Sequence, residues 1–338
     1  RVLFRSIEAF FALADGDEEA FELVRLEATE GLEAAYSVRV HLRVRDEHPP
    51  EATALLGKRA SVRLERDDGA PARHFHGAIR TAELRAGVAH ADAATEWQLW
   101  IELVARFGLL SLGRDARHFQ VLPPHEVVKR VLRGGGLTEE DQQWALAEEP
   151  DVRPFTVQFG ESDAAFVRRL LREEGVALAV RNLPAREQVY FFDAPALLER
   201  ITGVATLGPR EAEGSDAEDC VWDLRDVRRA APDAAMVRDY DFAHAGADLS
   251  ATAKASQGGA REMYDHHGRF TTEASGQRAA QRALDRHRVS TRVLTGRSDC
   301  WRLEPGRFFR LAGHTRAAFN GEYVVTAVRH KLELRRGA

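Results

Sequence analysis

The amino-acid sequence predicts a β-rich α+β protein. Three observations support this prediction: apolar and charged residues alternate in short runs, polar turn-forming residues separate these runs, and the spacing of apolar residues becomes helical after Gly113. Residues 38–45 show the alternation best, because every second residue is Val or Leu and the residues between them are basic. A strand with this period of two buries one face and exposes the other. Several such strands joined by short turns are typical of an antiparallel barrel or sandwich.

The first third of the chain, residues 1–113, is predicted to form one such β domain. The tripeptide Asp67-Asp68-Gly69 supplies a turn with a glycine suited to positive φ, as hairpins often require. The predicted strands are residues 24–29, residues 38–45, residues 60–65, a strand through Phe75 and Ile79, and residues 97–104.

Residues 114–200 are predicted to form a small α+β domain that is inserted between two β-rich parts. A first helix begins at Pro124, whose missing N–H costs nothing in a first helical turn, and it ends at the glycines 134–136. An acidic loop is predicted at residues 138–151. The predicted strands are residues 155–159, 176–180 and 188–192.

A second helix of this region has both of its ends marked in the sequence. Ser162 or Asp163 can cap its N-terminus by accepting hydrogen bonds from the first free backbone N–H groups. Gly175 suits the left-handed position that ends a helix. The apolar residues between these ends recur at helical spacing, so the helix is expected to pack on a small sheet.

Residues 201–338 are predicted to return to a β-rich pattern, with a loop and helix excursion at about 243–290. The first part of this excursion is small, polar and Gly-rich and favours a loop or irregular arm, whereas residues 276–289 favour a helix. Asn320-Gly321 is a strong hairpin signal. The predicted strands are residues 221–224, 240–242, 307–311, 323–328 and 331–334.

The composition argues against several classes of function. The chain has 338 residues, 48 Lys and Arg against 53 Asp and Glu, and a net charge of −5. Sequence-independent nucleic-acid binding needs clustered positive charge, so we expect no nucleic-acid partner. No apolar run approaches the roughly 18 residues that cross a bilayer, and charges rather than an apolar core follow residues 1–5. We therefore expect neither stable membrane insertion nor a signal peptide.

The chain has two cysteines, Cys220 and Cys300, and neither belongs to a C-x-x-C pair. So few thiols are typical of a protein that folds in the reducing cytosol. We expect two buried free thiols, and a bridge between them is the alternative.

Candidate catalytic and metal-binding groups each have a simpler structural interpretation. Glu161 and Asp163 are close carboxylates of the kind that share acid and base work, but at a helix N-terminus carboxylates more often serve the cap and the helix dipole. His74 and His76 share one face of a strand, but a metal needs at least one more ligand and the sequence identifies none. The imidazoles of His266-His267 point opposite ways in an extended chain.

The nucleophile elbow G-x-S-x-G is absent, since residues 160–164 and 296–300 both fail the pattern. The sequence therefore predicts no catalytic residue, no metal ligand and no cofactor-binding residue, and the protein is not expected to be an enzyme.

Four motifs, in a fixed order, carry a resemblance to a known family. Residues 73–79 resemble its R-x-F-H-G-x-V strand, residues 109–120 its L-x-x-L-x-x-R-x-D-x-R-I-F-Q segment, residues 159–175 its Y-x-E-S-D-x-x-F-x-x-R-L-x-E-x-E-G run, and residues 264–270 its Y-x-Y/H-P-G-x-Y/F run. The motif residues singled out are Phe75, His76, Gly77, Arg114, Asp115, Arg117, Phe119, Gln120, Glu161, Ser162, Asp163, Phe166, Arg169, Leu170, Glu173, Gly175, Tyr264 and Gly268. The chain thus resembles, over nearly its whole length, the VgrG spike proteins of type VI secretion systems and the related hub proteins of contractile phage tails.

This resemblance implies a fold and an assembly. Two tube-like antiparallel β-barrels are expected with the small α+β domain inserted, and three chains are expected to form a homotrimer whose six barrels mimic a six-fold ring. The hub would dock on a hexameric, Hcp-like inner tube and carry a puncturing needle. The oligonucleotide-binding-like barrel and β-helix needle of the family are not expected within this chain, and the motif residues are expected to have structural roles.

The resemblance also implies partners and a location. They are baseplate proteins and, through the needle, a PAAR-like tip protein and effectors. Assembly in the bacterial cytoplasm would precede ejection into a target cell or the medium. Two alternatives remain open: a tail-associated hydrolase, and the baseplate hub of a phage or of an extracellular contractile system.

Overall fold

A computed structural model describes most of the chain. The described residues are 7–14, 16, 18–45, 48–87, 96–210, 219–241, 244, 246–256, 261–266, 268, 270 and 272–334. His267 and the acidic segment 211–218 lie outside them.

The chain is built mainly from strands with few helices, so the β-rich prediction is confirmed. In chain order the strands are β1 (Ile7–Leu13), β2 (Phe21–Gly31), β3 (Ser37–Val44), β4 (Arg59–Arg66), β5 (Arg73–Ala86), β6 (Trp97–Val104), β7 (Asp115–Leu122), β8 (Gln142–Ala145), β9 (Arg153–Glu161), β10 (Ala177–Asn182), β11 (Glu187–Phe192), β12 (Glu199–Arg200), β13 (Thr206–Pro209), β14 (Cys220–Arg228), β15 (Ala234–Asp239), β16 (Leu249–Lys254), β17 (Glu262–His266), β18 (Arg292–Ser298), β19 (Arg307–Leu311), β20 (Gly321–Val324) and β21 (Ala327–Glu333). The helices are α1 (Ala52–Leu55), α2 (Arg106–Leu109), α3 (Pro124–Gly134), α4 (Asp163–Glu174) and α5 (Glu273–Arg288).

The chain divides into two compact units. The first unit contains Arg1–Leu170, Val176–Cys220 and Asp299–Ala338, and the second contains Leu171–Gly175 and Val221–Ser298. These boundaries differ from those of the three segments predicted from the sequence, and the three-segment division stays a prediction.

A curled seven-stranded antiparallel sheet organises the first unit. Its strand order is β1-β4-β5-β6-β3-β2-β21. The curl brings β1 over β2, where the rings of Phe11 and Phe21 pack edge to face with 5.4 Å between their centroids. The concave side holds a continuous apolar core in which Tyr36, Phe75 and Leu99 are buried.

Strand β3 shows why the alternating sequence forms this sheet. Val38, Val40 and Leu42 are buried in the core, whereas Arg43 lies on the outer face and forms a salt bridge with Glu22 at 2.7 Å. The predicted strand with an apolar face and a basic face is confirmed, because a period of two places alternate side chains on opposite faces of a sheet.

Two smaller elements of the first unit come from the region predicted to be α+β. One is a three-stranded sheet of order β10-β11-β8, and the other is a two-stranded ribbon of β7 and β9. The predicted strands of this region and its two helices are present, but the acidic segment predicted as a loop contains β8. Strand β8 runs parallel to β11, and a pairing partner more than 40 residues away leaves no local signal.

The end of the chain corrects two further predictions. Leu311 pairs with Gly321, so β19 and β20 are joined by residues 312–320 and not by a tight Asn320-Gly321 turn. The strand predicted at 323–328 is divided, because β20 ends at Val324 and β21 pairs with β2 in the seven-stranded sheet. Strand β19 also pairs in parallel with β12 and β13.

The second unit packs one helix on a small sheet. The sheet has the order β16-β15-β17, and α5 covers it through Ala280, Ala283 and Leu284. The segment predicted as a Gly-rich loop therefore contains β16. Its alternating small residues are suited to close packing against a helix, and small residues are a weak strand signal. Strand β14 pairs antiparallel with β18.

We predict that Gly77→Ala destabilises the first unit. A Cβ atom at Gly77 would lie 2.2 Å from the carbonyl oxygen of Val104, and backbone cannot move aside as a flexible side chain can. The expected cost is roughly 1–3 kcal/mol or more, seen as a lower midpoint of thermal unfolding by circular dichroism. Gly134→Ala is the matched control, since nothing lies within 4 Å of its added Cβ. Equal midpoints for the two variants would contradict the close strand approach.

Candidate functional site

The first motif, in β5, is the point where distant segments meet. The Arg73 side chain is buried, and its guanidinium donates to Glu30 of β2 at 2.5 Å and to Glu304 at 2.9 Å. Glu304 also accepts from Arg307 of β19 at 2.7 Å. We call these four residues the core ion cluster. It connects the seven-stranded sheet to the strand pairs around β19.

Charge balance makes this burial tolerable. Burial alone would lower the pKa of the Arg73 guanidinium, but Glu30 and Glu304 hold that pKa above its ordinary value. Burial alone would raise the pKa of the Glu304 carboxyl, but Arg73 and Arg307 outweigh it, so this pKa lies below its ordinary value. Arg73 and Glu304 therefore stay charged, each beside a group of opposite charge.

The next motif residues tie the same strand to the three-stranded sheet. The backbone N–H of His76 donates to Oδ1 of Asn182 at 2.9 Å, and Nε2 of His76 lies 2.9 Å from the carbonyl oxygen of Leu183. Phe75 packs edge to face on Tyr36, with 6.0 Å between ring centroids. The Tyr36 hydroxyl lies 3.0 Å from Oδ1 of the same Asn182.

A buried carboxyl group, that of Glu187, also contacts the Tyr36 hydroxyl. Glu187 of β11 lies 3.2 Å from the Tyr36 hydroxyl and accepts from Nε of Arg106 at 2.8 Å. Arg106 also donates to Asp141 at 2.5 Å. Burial raises the pKa of the Glu187 carboxyl, although Arg106 opposes that rise. Burial also raises the pKa of Tyr36 well above its usual range.

The second and third motifs form one assembly of the β7–β9 ribbon with helix α4, which we call the ribbon–helix module. Arg117 of β7 donates to Gln158 at 2.9 Å and forms a short ion pair with Asp163, the first residue of α4. Arg169 of α4 reaches back to Glu161 at 2.5 Å. These two ion pairs attach α4 to both strands of the ribbon, to β7 through Arg117 and to β9 through Glu161.

The ends of α4 confirm the predicted signals. The Ser162 hydroxyl accepts from the N–H of Ala165 at 3.2 Å, so Ser162 is the capping residue of the two candidates. Gly175 has φ of 69°, the left-handed conformation expected where the helix ends.

The remaining residues of these motifs have packing or surface positions. Phe166 and Leu170 are buried, and the Phe119 ring stacks on Phe166 with 5.9 Å between centroids. Glu173 is half-buried on α4. The other three positions lie along β7 or just before it: Arg114, Asp115 and Gln120.

The fourth motif lies in the second unit. Tyr264 is exposed on β17. A Cβ atom at Gly268 would lie 2.4 Å from the ring of Phe270, so glycine allows this ring to approach the backbone.

The side chains considered from the sequence as catalytic or metal-binding candidates make structural contacts. Glu161 and Asp163 each face an arginine, as described above. His74 and His76 stack with 5.9 Å between ring centroids, and burial lowers the pKa of each. Among the described residues no group of three or more His, Cys, Asp or Glu side chains could hold a metal ion. Nor does any helix in the described ranges have the length and apolarity to cross a membrane.

Cys220 and Cys300 are both buried and form no disulfide with each other, as expected from the sequence. Burial raises the pKa of the Cys300 thiol to about 12, so this thiol stays protonated and is a poor nucleophile.

A cavity of about 470 Å³ lies on the outer face of the seven-stranded sheet. Its aromatic residue, Trp100, is flanked by the stacked ring of His41 at 4.2 Å and by the guanidinium of Arg85 at 4.6 Å from the ring centroid. The indole is therefore occupied by the protein's own side chains and is a poor platform for a ligand.

The sequence alone missed the residues that complete the two buried clusters. Glu304 lies 231 positions from Arg73, and Glu187 lies 151 positions from Tyr36. No local pattern marks a carboxylate that becomes buried beside a distant partner. The only hint was the arginine that opens the first motif.

Three kinds of comparison place this geometry among known proteins. A family model described as "Phage tail baseplate hub (GPD)" matches residues 29–335. The type VI secretion system spike protein VgrG2a of Pseudomonas aeruginosa is 27% identical over 331 residues, which are 97% of this chain and 38% of that protein. The chain thus spans well under half of the length of this relative.

Solved structures share the fold. One is an E. coli component of the type VI secretion system described as structurally similar to the T4 bacteriophage tail proteins gp27 and gp5, with a TM-score of 0.70, 18% identity, and coverage of 98% of this chain and 74% of that one. Another is a 43 kDa tail protein of prophage MuSo2 from Shewanella oneidensis, with a TM-score of 0.64, 12% identity, and coverage of 97% and 95%.

We predict that Arg73→Met destabilises the first unit by about 3–5 kcal/mol, because it leaves Glu30 and Glu304 buried without their shared cation. The measurement is the midpoint of urea unfolding.

Arg80→Met on the same strand is the matched control. Arg80 also pairs with a carboxylate, Glu102, at 2.7 Å, but it is 41% exposed, so its loss should cost no more than about 1 kcal/mol. If the two variants lost the same amount of stability, burial of the Arg73 cluster would not make its ion pairs more important for folding than an exposed pair.

Proposed function

Since the chain belongs to the phage tail baseplate hub (GPD) family, we propose that it is the structural hub of a trimeric spike at the tip of a contractile injection machine of the type VI secretion kind. The observation that supports this most is the span of the family match, which takes in residues 29–335 and both compact units. The likeness to VgrG2a adds the type VI context.

In this proposal each chain supplies two tube-like β-barrels, so that three chains present six similar surfaces to a hexameric, Hcp-like inner tube. The curled seven-stranded sheet is suited to be one of the two barrels. Such docking requires a broad contact with polar complementarity and no deep pocket. The charged outer face of β3, with Arg39, His41 and Arg43, has that polar character.

Further partners follow from the same proposal. Relatives longer than this chain would carry a needle, a PAAR-like tip protein and effectors beyond the hub, and baseplate proteins would surround it. The hub would assemble in the bacterial cytoplasm and be ejected with the spike. It would carry out no turnover.

An enzymatic role, as a tail-associated hydrolase, is less well supported. Acid and base catalysis needs a carboxylic acid and a carboxylate that are free to exchange protons with a substrate. Glu161 and Asp163 are held by Arg169 and Arg117 instead. The cysteine thiols are buried, and that of Cys300 is protonated.

A phage-type baseplate hub is the second candidate. It is favoured by the description of the matching family and by the shared fold of the MuSo2 tail protein. The two candidates differ in the tube they would dock on, so binding to a type VI tube protein against a phage tube protein separates them.

We predict that the purified chain has a mass three times the 37.7 kDa of one copy when measured by multi-angle light scattering. Binding of this species to preformed tube hexamers in a pull-down would complete the test. A chain that stays monomeric at high concentration and does not bind the tube would contradict the hub proposal.

A further inference from the structure

Two imidazoles stack on each other where strand β5 meets the three-stranded sheet. His74 and His76 are both half-buried on the face of β5 opposite to the buried Phe75, with 5.9 Å between their ring centroids and 4° between their ring planes. Residues two apart on a strand share one face, so the stack follows from the sequence of the strand. Histidine is the side chain whose charge changes most readily near neutral pH.

The second imidazole of the stack contacts the turn between β10 and β11, residues 183–186. Nε2 of His76 lies 2.9 Å from the carbonyl oxygen of Leu183, and the backbone N–H of His76 donates to Oδ1 of Asn182 at 2.9 Å. The turn itself is closed by a hydrogen bond from the N–H of Leu183 to the carbonyl oxygen of Arg186 at 2.8 Å. His76 therefore holds the β10–β11 turn on β5.

We propose that His74 and His76 form an acid-sensitive latch, which holds the β10–β11 turn on β5 while both rings are neutral and loosens the turn when the rings take up protons. This inference goes beyond the hub proposal, and it does not depend on how many copies of the chain assemble.

Burial beneath the turn opposes a charge on His76. Removal of the ring from water lowers the pKa of His76, and this effect outweighs the backbone groups of Leu183 and Pro184, which favour the charged ring. When the turn lifts, water reaches the imidazole again and the charged form regains its hydration. Proton uptake by His76 and lifting of the turn therefore favour each other.

The charges around His74 act in the same direction. Burial has the largest effect in lowering the pKa of His74, and His76, Arg63 and Arg73 lower it further, whereas Glu65 opposes them. Arg63 lies directly opposite His74 on β4, where its guanidinium also pairs with Glu65. Protons on both rings would place three cations side by side, which makes the doubly charged closed latch unfavourable.

The direction of these shifts gives the pH range in which the latch acts. In the closed latch both imidazoles have a pKa below the ordinary value of 6.5, so the open form binds more protons than the closed form below that pH. The latch therefore holds most firmly above about pH 7 and weakens as the pH falls below about 6.5. The turn is also attached through Arg186, which donates to Glu140 at 2.5 Å, so acid loosens the turn and does not detach the hairpin.

The test is native-state amide hydrogen exchange, read as protection factors at about pH 7.5 and about pH 5.5. Protection factors remove the direct effect of pH on the exchange chemistry. The two reporting groups are the backbone N–H of residue 76, which donates across the latch, and that of Leu183, which closes the turn. Their protection in the wild-type chain should fall about tenfold between the two pH values, the effect of one proton that binds ten times more weakly in the closed form.

The variant to compare is the double substitution His74→Gln, His76→Gln. Glutamine does not titrate, and its side-chain amide can donate to the carbonyl oxygen of Leu183 as the imidazole does. Protection of the same two amides should therefore be equal at both pH values. His41→Gln is the matched control, because His41 is also half-buried on the seven-stranded sheet but stacks on Trp100. This control should keep the tenfold fall of the wild-type chain.

The single variant His74→Gln is the substitute if the double variant does not fold. It keeps the contact of His76 with Leu183 but removes one titrating ring, so the fall in protection should be smaller than in the wild-type chain. An unchanged fall would exclude a role for the stacked ring.

Two further outcomes would overturn the latch. Equal protection of the wild-type chain at both pH values would mean that the charge of the rings is not coupled to the turn. A tenfold fall in the double variant would assign the pH dependence to other groups. Both results concern a contact within one chain and leave the hub proposal standing, whereas a chain that neither assembles nor binds the tube overturns the hub proposal and leaves the latch standing.

Discussion

A buried positive charge at Arg73 requires two carboxylates from segments far apart in the chain, and this requirement determines how the first unit is put together. A one-residue slip of β5 would turn Arg73 to the outer face and leave Glu30 and Glu304 buried without a cation. Such clusters contribute little net stability compared with apolar packing, but removing one partner is costly. The cluster therefore selects one register and one partner for β2, β5 and the segment before β19.

The same use of charge recurs in the ribbon–helix module and at Arg106. Arg117 and Arg169 form ion pairs with Asp163 and Glu161, the two carboxylates that the sequence offers as catalytic candidates. Arg106 forms an ion pair with the buried Glu187. Polar side chains throughout the first unit serve to position strands and helices.

The sequence predicted the features that depend on neighbouring residues. The alternation of β3, the cap at Ser162 and the left-handed Gly175 all follow from local backbone chemistry, and each is present. It failed where partners are distant: β8 was taken for a loop, β16 for part of a Gly-rich arm, and the gap between β20 and β21 was placed inside a strand predicted at residues 323–328. Those elements exist because of pairing with remote strands, and their short or small-residue sequences carry almost no preference of their own. The buried partners of Arg73 were missed for the same reason.

The central claim is that this chain is a structural ring component whose three copies present barrels to a six-fold tube. The most direct test is a cryo-electron microscopy reconstruction, without imposed symmetry, of the wild-type chain bound to its tube protein. The account predicts a three-fold assembly at one end of the tube, in which two β-barrels from each chain contact the last hexameric ring of the tube. A single copy bound to the side of the tube, or a two-fold assembly, would contradict it.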